Sequence, residues 1–349
     1  MSAALSNRLI FRCFRPLAVI AAFALTTASA VAQQPYKIVD HWNIGGTGGW
    51  DYLLADPPAH LVYVTHGTQV EVVDSTTGKV VTAITGMKGT HGIALDGDGR
   101  YGYISDGGNN RVVVFDRHTF KTVTTVPAGT NPDGIVFDPS TKTVWAFNGR
   151  SKNVTVIDAA SNQVVATIDV PGKPEFPVAD GQGAVYDNIE TANEIVRLDA
   201  QTKQITATWK LTDCDSPSGL AMDHEHRRLF AVCDGKKMAV VDANTGKQIA
   251  SPAIGDGPDA ANFSAKHQLA FSSNGAGTLS VIDAANGYKT IQELPTARGA
   301  RTMTYDDLTD RAYLVTAKFG PLPEPTAEVP HPRPAALPDT FEVIVVGRK

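Results

Sequence analysis

The chain has 349 residues, with 31 Gly, 21 Pro and only 7% aromatic residues, the composition of many short strands and turns rather than of long helices. Its 36 acidic residues outnumber 31 Lys and Arg. Without the first 32 residues, which hold Arg8, Arg12 and Arg15 and no acid, 28 basic residues face 36 acidic ones, a net charge of −8, so a partner gripped through its phosphate backbone, a nucleic acid above all, is not expected.

Residues 1–32 read as a cleaved secretory signal peptide. The three Arg form a basic start, Leu17 to Leu25 a short apolar core, and Ala30-Val31-Ala32 supplies the small residues a signal peptidase needs, with cleavage after Ala32 or, second, after Ala30. The apolar core is too short to span a bilayer and nothing later is long enough, so no membrane span is expected. Cys13 lies before the core rather than at the cleavage site, which argues against a lipid anchor. A periplasmic or secreted protein is expected, and a monomer.

From residue 69 onward one pattern recurs. QVEVVDSTTGKVV, RVVVFDRHTFKTV, NVTVIDAASNQVV, EIVRLDAQTKQIT, MAVVDANTGKQIA and LSVIDAANGYKTI each run through alternating apolar residues to an Asp, a polar turn and a further strand. The anchors Asp74, Asp116, Asp158, Asp199, Asp242 and Asp283 are spaced 42, 42, 41, 43 and 41 residues apart. A seventh copy, FEVIVVG at 341–347, puts Gly347 at the Asp position. Upstream of the anchors lie strand-turn-strand units such as GIALDGDGRYGYIS, GIVFDPSTKTVWAF and GLAMDHEHRRLFAV. Four strands per repeat at this period make a propeller blade. The expected fold is all-β: a seven-bladed β-propeller of four-stranded blades filling residues 33–349 as one domain. The last copy stops at its third strand, whereas residues 36–44, YKIVDHWNI, are a strand with no blade before it; they are expected to complete blade 7. The repeating Asp residues are read as turn formers, not as catalysts.

Cys214 and Cys233 fall in blade 5. A hairpin turn near Glu225 and His226 sets Cys233 opposite Ser218, at the end of the sheet where Cys214 enters, and a disulfide is expected. The stretch 320–339, GPLPEPTAEVPHPRPAALPD, has seven Pro between Pro321 and Pro338 and is expected as an extended or mobile loop inserted in blade 7: a lid, a docking arm or a tolerated insertion.

Several segments carry a family likeness: GGWDYLLAD (48–56), THGIAL (90–95), FNGRSKNVTVID (147–158), GKPEFPVADGQGAVYDNIE (172–190), CDSPSGLAMDHEHRRLFAVC (214–233) and GARTMTYDDLTDRAYLVTAKFGP (299–321). Through them the chain resembles an exported bacterial branch of the YVTN-repeat, YncE-like β-propeller proteins over essentially its whole mature length. The resemblance implies a propeller outside the cytoplasm and brings neither a reaction nor catalytic residues. The Tyr-Val-x-Asn strand of the family stands here only in variants such as YISD, WAFN and AVCD.

Aligning the blades at the start of the innermost strand yields one position per repeat: Asp51, His91, Asp133, Glu175, Ser218, Asp259 and Arg301. Six of the seven are ionisable, and innermost strands converge on the axial channel, so these side chains are expected to ring its mouth. Asp133 and Asp259 equally fit turn caps after Pro. Loops between the second and third strands share that face and bring His66, Asn109, Asn148, Arg150 and Asn274; Arg150 suits a carboxylate or phosphate. Trp50 stacks on a ligand or is buried between blades. The opposite face, with His224 and His226, is bland. The expected ligand-binding set is Asp51, His91, Asp133, Asn148, Arg150, Glu175, Asp259 and Arg301. If a divalent metal is bound, its ligands come from His91, Glu175, Asp51 and Asp259. Metalloprotease, P-loop and nucleophile-elbow motifs are missing. The leading function is an exported binding or scaffold module for a small ligand, metal or protein partner at the channel mouth. The alternative is a metal-assisted hydrolase or lactonase using the same ring, and a quinone-cofactor dehydrogenase ranks third.

Overall fold

Period-two alternation puts every second side chain of a strand on one face of its sheet, and here both faces of most strands are covered by neighbouring blades. In the computed structural model, which describes residues 1–5, 34–326, 332 and 334–348, the strands form seven four-stranded antiparallel sheets. The expected signal segment lies outside the described residues beyond position 5. Residues 35–349 make one unit and residues 1–34 another.

The innermost strands are Trp50–Asp56, Thr90–Leu95, Pro132–Asp138, Pro174–Ala179, Leu220–Asp223, Pro258–Ser264 and Met303–Asp306. Second and third strands are the most enclosed: Thr143–Asn148 is buried throughout, and Val144, Trp145, Phe147, Val154 and Val156 are inaccessible to solvent. Outermost strands alternate between half-buried and exposed, as Gln204–Lys210 does, because only one of their faces meets another blade.

The repeating Asp residues hold the turns. Asp74 accepts the Thr76 and Thr77 amides at 2.8 and 2.9 Å and the Thr76 hydroxyl at 2.6 Å. The same pattern recurs at Asp116, Asp158, Asp199, Asp242 and Asp283. These bonds, the Thr76 hydroxyl foremost, lower the Asp74 carboxyl to about 2.

Blade 7 closes as the repeat count requires. Lys37–Asn43 pairs antiparallel with Glu342–Gly347, from Lys37 opposite Gly347 to Asn43 opposite Glu342. Beyond the strand, the Tyr36 hydroxyl donates to Asp310 at 2.6 Å, as does that of Tyr305. Trp42 packs on Tyr313 inside blade 7 and over Gly78 of blade 1, where φ is +69° and a Cβ would lie 2.3 Å from the indole. Blade 1 meets blade 7 directly where the Ala55 amide donates to Thr304 Oγ1 at 3.0 Å.

Cys214 and Cys233 are bonded, with Cα atoms 5.1 Å apart. The Pro-rich insertion leaves blade 7 between Arg311–Thr316 and Glu342–Gly347. Its base is paired rather than loose: the Gly320 amide donates to Ala335 O at 2.9 Å and the Leu337 amide to Lys318 O at 2.7 Å. Residues 327–331 and 333 lie outside the described ones. Among the described residues no helix is long and apolar enough to cross a membrane.

Candidate binding site at the channel mouth

In five of the blades the innermost strand starts with an irregularity in its ladder. In blades 1 to 4 the first residue pairs with the second strand, the next two do not, and pairing resumes at Leu53, Ile93, Ile135 and Pro177. Asp51, His91, Asp133 and Glu175 occupy the skipped positions, as Asp259 does in blade 6. Such an irregularity re-aims a side chain out of the sheet.

The residue that follows each ring position decides how near the strands come to the axis. It is glycine in blades 2, 3 and 5. A Cβ on Gly92 would stand 2.8 Å from the Asp133 carbonyl oxygen, and one on Gly134 would stand 2.0 Å from that of Glu175. Blades 1 and 4 carry Tyr52 and Phe176 there instead, and the two rings meet across the axis at 4.7 Å. Tyr52 is 3% exposed. The ring of polar residues thus stands over an aromatic floor, and the channel mouth is a cup.

The cup encloses about 520 Å³. Asp51, Asp133, Glu175, Ser218, Asp259 and Arg301 line it. His91 reaches it through its neighbours, with Nδ1 2.6 Å from Asp51 Oδ2 and 3.6 Å from Asp133 Oδ1. Arg301 forms an ion pair with Asp259, with Nη1 2.7 Å from Oδ2. Lys173 bridges Glu175 and Glu190, the latter at 2.6 Å.

Burial by itself would lower His91, but the hydrogen bond to Asp51 and the charges of Asp133, Asp51 and Glu175 outweigh it and hold the imidazole up at about 9. It is therefore an imidazolium at neutral pH. Burial raises the carboxyls of Asp133, Glu175 and Asp259; the Asp51 charge adds to it at Asp133 and the Asp133 charge at Glu175, while at Asp259 the Arg301 guanidinium opposes it. Asp187, on the second strand of blade 4, is wholly buried with no side-chain hydrogen-bond partner among the described residues. Burial, then the charges of Glu175 and Asp133, push it well above the carboxylate range.

The ring positions expected from the repeat alignment come together here, while the loop residues do not. Asn148 is buried and turned back into its own hairpin, donating to Asn153 Oδ1 at 2.9 Å and Thr155 Oγ1 at 3.0 Å; Asn274 does the same with Thr278 and Ser280. Asn109 donates to Asp106 at 2.9 Å. Arg150 is exposed and outside the cup lining. His66 is buried and stacked on Phe341 at 4.2 Å. The four residues expected as metal ligands do not form one cluster: Glu175 faces Lys173 and Asp259 faces Arg301, whereas donor atoms of Asp51, His91 and Asp133 lie within 4.8 Å of one another.

Lys173, Glu190 and Tyr52 line the cup, and Asp187 is buried within reach of the Glu175 and Asp133 charges, without having been singled out from the sequence. The signal for Asp187 was present in the repeat, because its equivalents in blades 1, 2, 3, 5 and 7 are Val64, Ile104, Ala146, Ala231 and Leu314, all apolar.

The chain matches the YNCE-like beta-propeller family over residues 28–181. No curated protein matches it. Among solved structures it is similar to Kuenenia stuttgartiensis hydrazine synthase, with 13% identity and a TM-score of 0.68 over 77% of this chain and 92% of that one. It is also similar to the structure of U3-55K, with 10% identity and a TM-score of 0.73 over 88% and 98% of the two chains. The RRP9 WD40 repeats give 10% identity and 0.73 over 90% and 99%. At such identities the likeness is one of fold.

Proposed function

We propose that this chain, which is a YncE-like β-propeller protein, works as an exported binding module whose cup captures a small cation, with a divalent metal ion held by Asp51, His91 and Asp133. The observation that carries this reading is the convergence of two carboxylates and an imidazole from three successive blades at the wall of a cavity. Two carboxylates and one imidazole suit a first-row divalent ion such as Zn²⁺ or Mn²⁺ and leave coordination positions open. A second support is Asp187, a buried carboxyl with no side-chain hydrogen-bond partner among the described residues, which burial and the charges of Glu175 and Asp133 raise. Export is part of the proposal: a disulfide persists in an oxidising compartment, and the basic and apolar N-terminal segment is the signal that would deliver the chain there.

His91 must give up its proton before it can ligate. Metal capture near pH 7 therefore releases a proton, and affinity rises as pH approaches 9. The experiment is zinc and manganese titration by calorimetry at pH 7 in two buffers of different ionisation enthalpy, with elemental analysis of periplasmic material. One bound ion per chain, proton release, and loss of both in His91→Ala and Asp133→Asn are expected. An absence of binding in the wild-type protein, or binding unchanged in both variants, refutes the metal site.

A hydrolytic reading is favoured by one further feature. Glu175 lines the same cavity as Asp51 and Asp133, and burial raises its carboxyl against the opposing Lys173, so it would supply an acid to a site where a metal held by the ring would activate water. Hydrolysis of a lactone or ester panel by the zinc-loaded protein, lost in Glu175→Gln with metal retained, would separate catalysis from binding.

A further inference from the structure

Beside the cup lies a second cavity of about 600 Å³ that shares only Gly275 and Arg301 with it. Its character is different. Trp50 and Phe319 form an aromatic wall, with ring centroids 6.0 Å apart at 46°, and Phe341 backs Trp50 at 5.4 Å. Pro334, Ala335 and Ala336, from the returning arm of the Pro-rich insertion, supply an apolar side. Glycines keep the remaining wall open. Gly299 has φ +82° and a Cβ there would stand 2.7 Å from Phe319 Cζ, so the ring can lie against this loop only because residue 299 has no side chain. A Cβ on Gly49 would meet nothing within 4 Å.

The charge in this lobe is positive and partly uncompensated. Arg301 is paired with Asp259 on the cup side. Arg298 is exposed, its guanidinium 6.0 Å from the Phe319 centroid, and it has no acidic partner among the described residues. One free guanidinium beside a half-neutralised one calls for a single negative charge, and a guanidinium fork matches a carboxylate in two parallel hydrogen bonds. Two aromatic faces and a wall with few side chains call for a flat, apolar body. From this cavity, with its unpaired Arg298, its aromatic wall and its Pro-rich side, we infer that the lobe binds a planar aromatic monocarboxylate, the carboxylate at Arg298 and Arg301 and the ring against Trp50 and Phe319. The inference also assigns a job to residues 334–336 of the insertion, which form one side of this pocket. It is independent of the metal reading of the cup.

The test uses the mature full-length protein at pH 7.5, with 2-naphthoate as probe and 2-naphthamide and cyclohexanecarboxylate as comparators, by calorimetry and ligand-observed NMR. Expected are saturable binding of 2-naphthoate, at least tenfold weaker binding of both comparators, and an affinity unchanged by EDTA, which would strip the cup. Arg298→Gln, an exposed substitution, should weaken 2-naphthoate at least tenfold with an unchanged melting temperature. Gly299→Ala displaces Phe319 and should weaken it too, and because Ala is strained at φ +82° the folding of that variant is checked by circular dichroism. The inference is overturned if the wild-type protein binds none of the probes, if the amide binds as well as the acid, if binding requires metal, or if Arg298→Gln binds like the parent.

Discussion

Replacing His91 by Gln tests whether the cup is charged as the geometry requires. The imidazole is raised from 6.5 in the unfolded chain to about 9 in the fold by Asp51 at 2.6 Å and the Asp133 charge. At roughly 1.4 kcal/mol per pH decade this difference is worth about 3 kcal/mol. The side chain is 24% exposed, so solvent screening removes only part of it. Because the folded value lies above the unfolded one, the contribution is fully present below pH 6.5 and is lost as pH rises through about 9. The assay is urea unfolding of both proteins, metal-free, at half-unit steps from pH 6 to 10. Burial raises the Asp133 carboxyl to about 6, so it takes up a proton at the lower limit, and the fall in the gap is read from pH 7 upward. The stability gap should fall by about 3 kcal/mol across this range, and the wild-type imidazole should titrate near 9 by NMR. A gap that stays constant with pH, or an imidazole titrating at or below 6.5, would falsify the charged pair.

Asp187→Asn should stabilise the protein. Its carboxyl is held neutral by burial, so folding is penalised increasingly above the unfolded value of 3.8; the gain in the urea midpoint should be larger at pH 8 than at pH 5, and a loss at both contradicts the assignment. Reducing the Cys214–Cys233 bond, which closes a 19-residue separation, should cost about 3 kcal/mol, read as a lowered unfolding free energy with dithiothreitol and reproduced by Cys233→Ser with none. Deleting residues 35–44 exposes the edge of Glu342–Gly347 and should produce aggregates in sedimentation velocity; a monodisperse deletion variant as stable as the parent speaks against closure by this strand.

The blade number was legible because its signal is local and repeated. Asp74 and its equivalents bond to amides two or three residues ahead, so turn chemistry can be read from a few letters and counted along the chain. The ring positions were legible for a related reason: the repeat carries one such position per blade, inside the innermost strand in five blades and just before it at Ser218 and Arg301. What each ring residue faces was not. Glu175 reads as a free carboxylate until Lys173 folds onto it, and the expected four metal ligands divide because Asp259 answers to Arg301 from the next blade. Asn148 shares the face of the ring, yet its side chain is occupied by Asn153 and Thr155 of its own hairpin. The aromatic floor needed the pairing of Tyr52 with Phe176, residues 124 positions apart that nothing in either segment joins.

The same residue type does opposite work at the two ends of the propeller. On the turn face Asp74, Asp116, Asp158, Asp199 and Asp242 are held below the ordinary carboxylate range by hydrogen bonds, and such groups stabilise the fold above the unfolded value and cease to as pH falls through the folded one. At the cup Asp133, Asp187, Asp259 and Glu175 are held above it, so each costs stability at neutral pH. Turn formation accounts for the first set completely. It cannot account for the second, whose carboxyls cap no turn of the repeat: Asp133, Glu175 and Asp259 stand where the strand ladder is interrupted, and burial holds them raised although His91, Lys173 and Arg301 face them. A partner that brings positive charge to the cup lowers those carboxyls back towards their ordinary range and returns the cost as binding free energy. The destabilised end of the propeller is for that reason the end at which a ligand gains most.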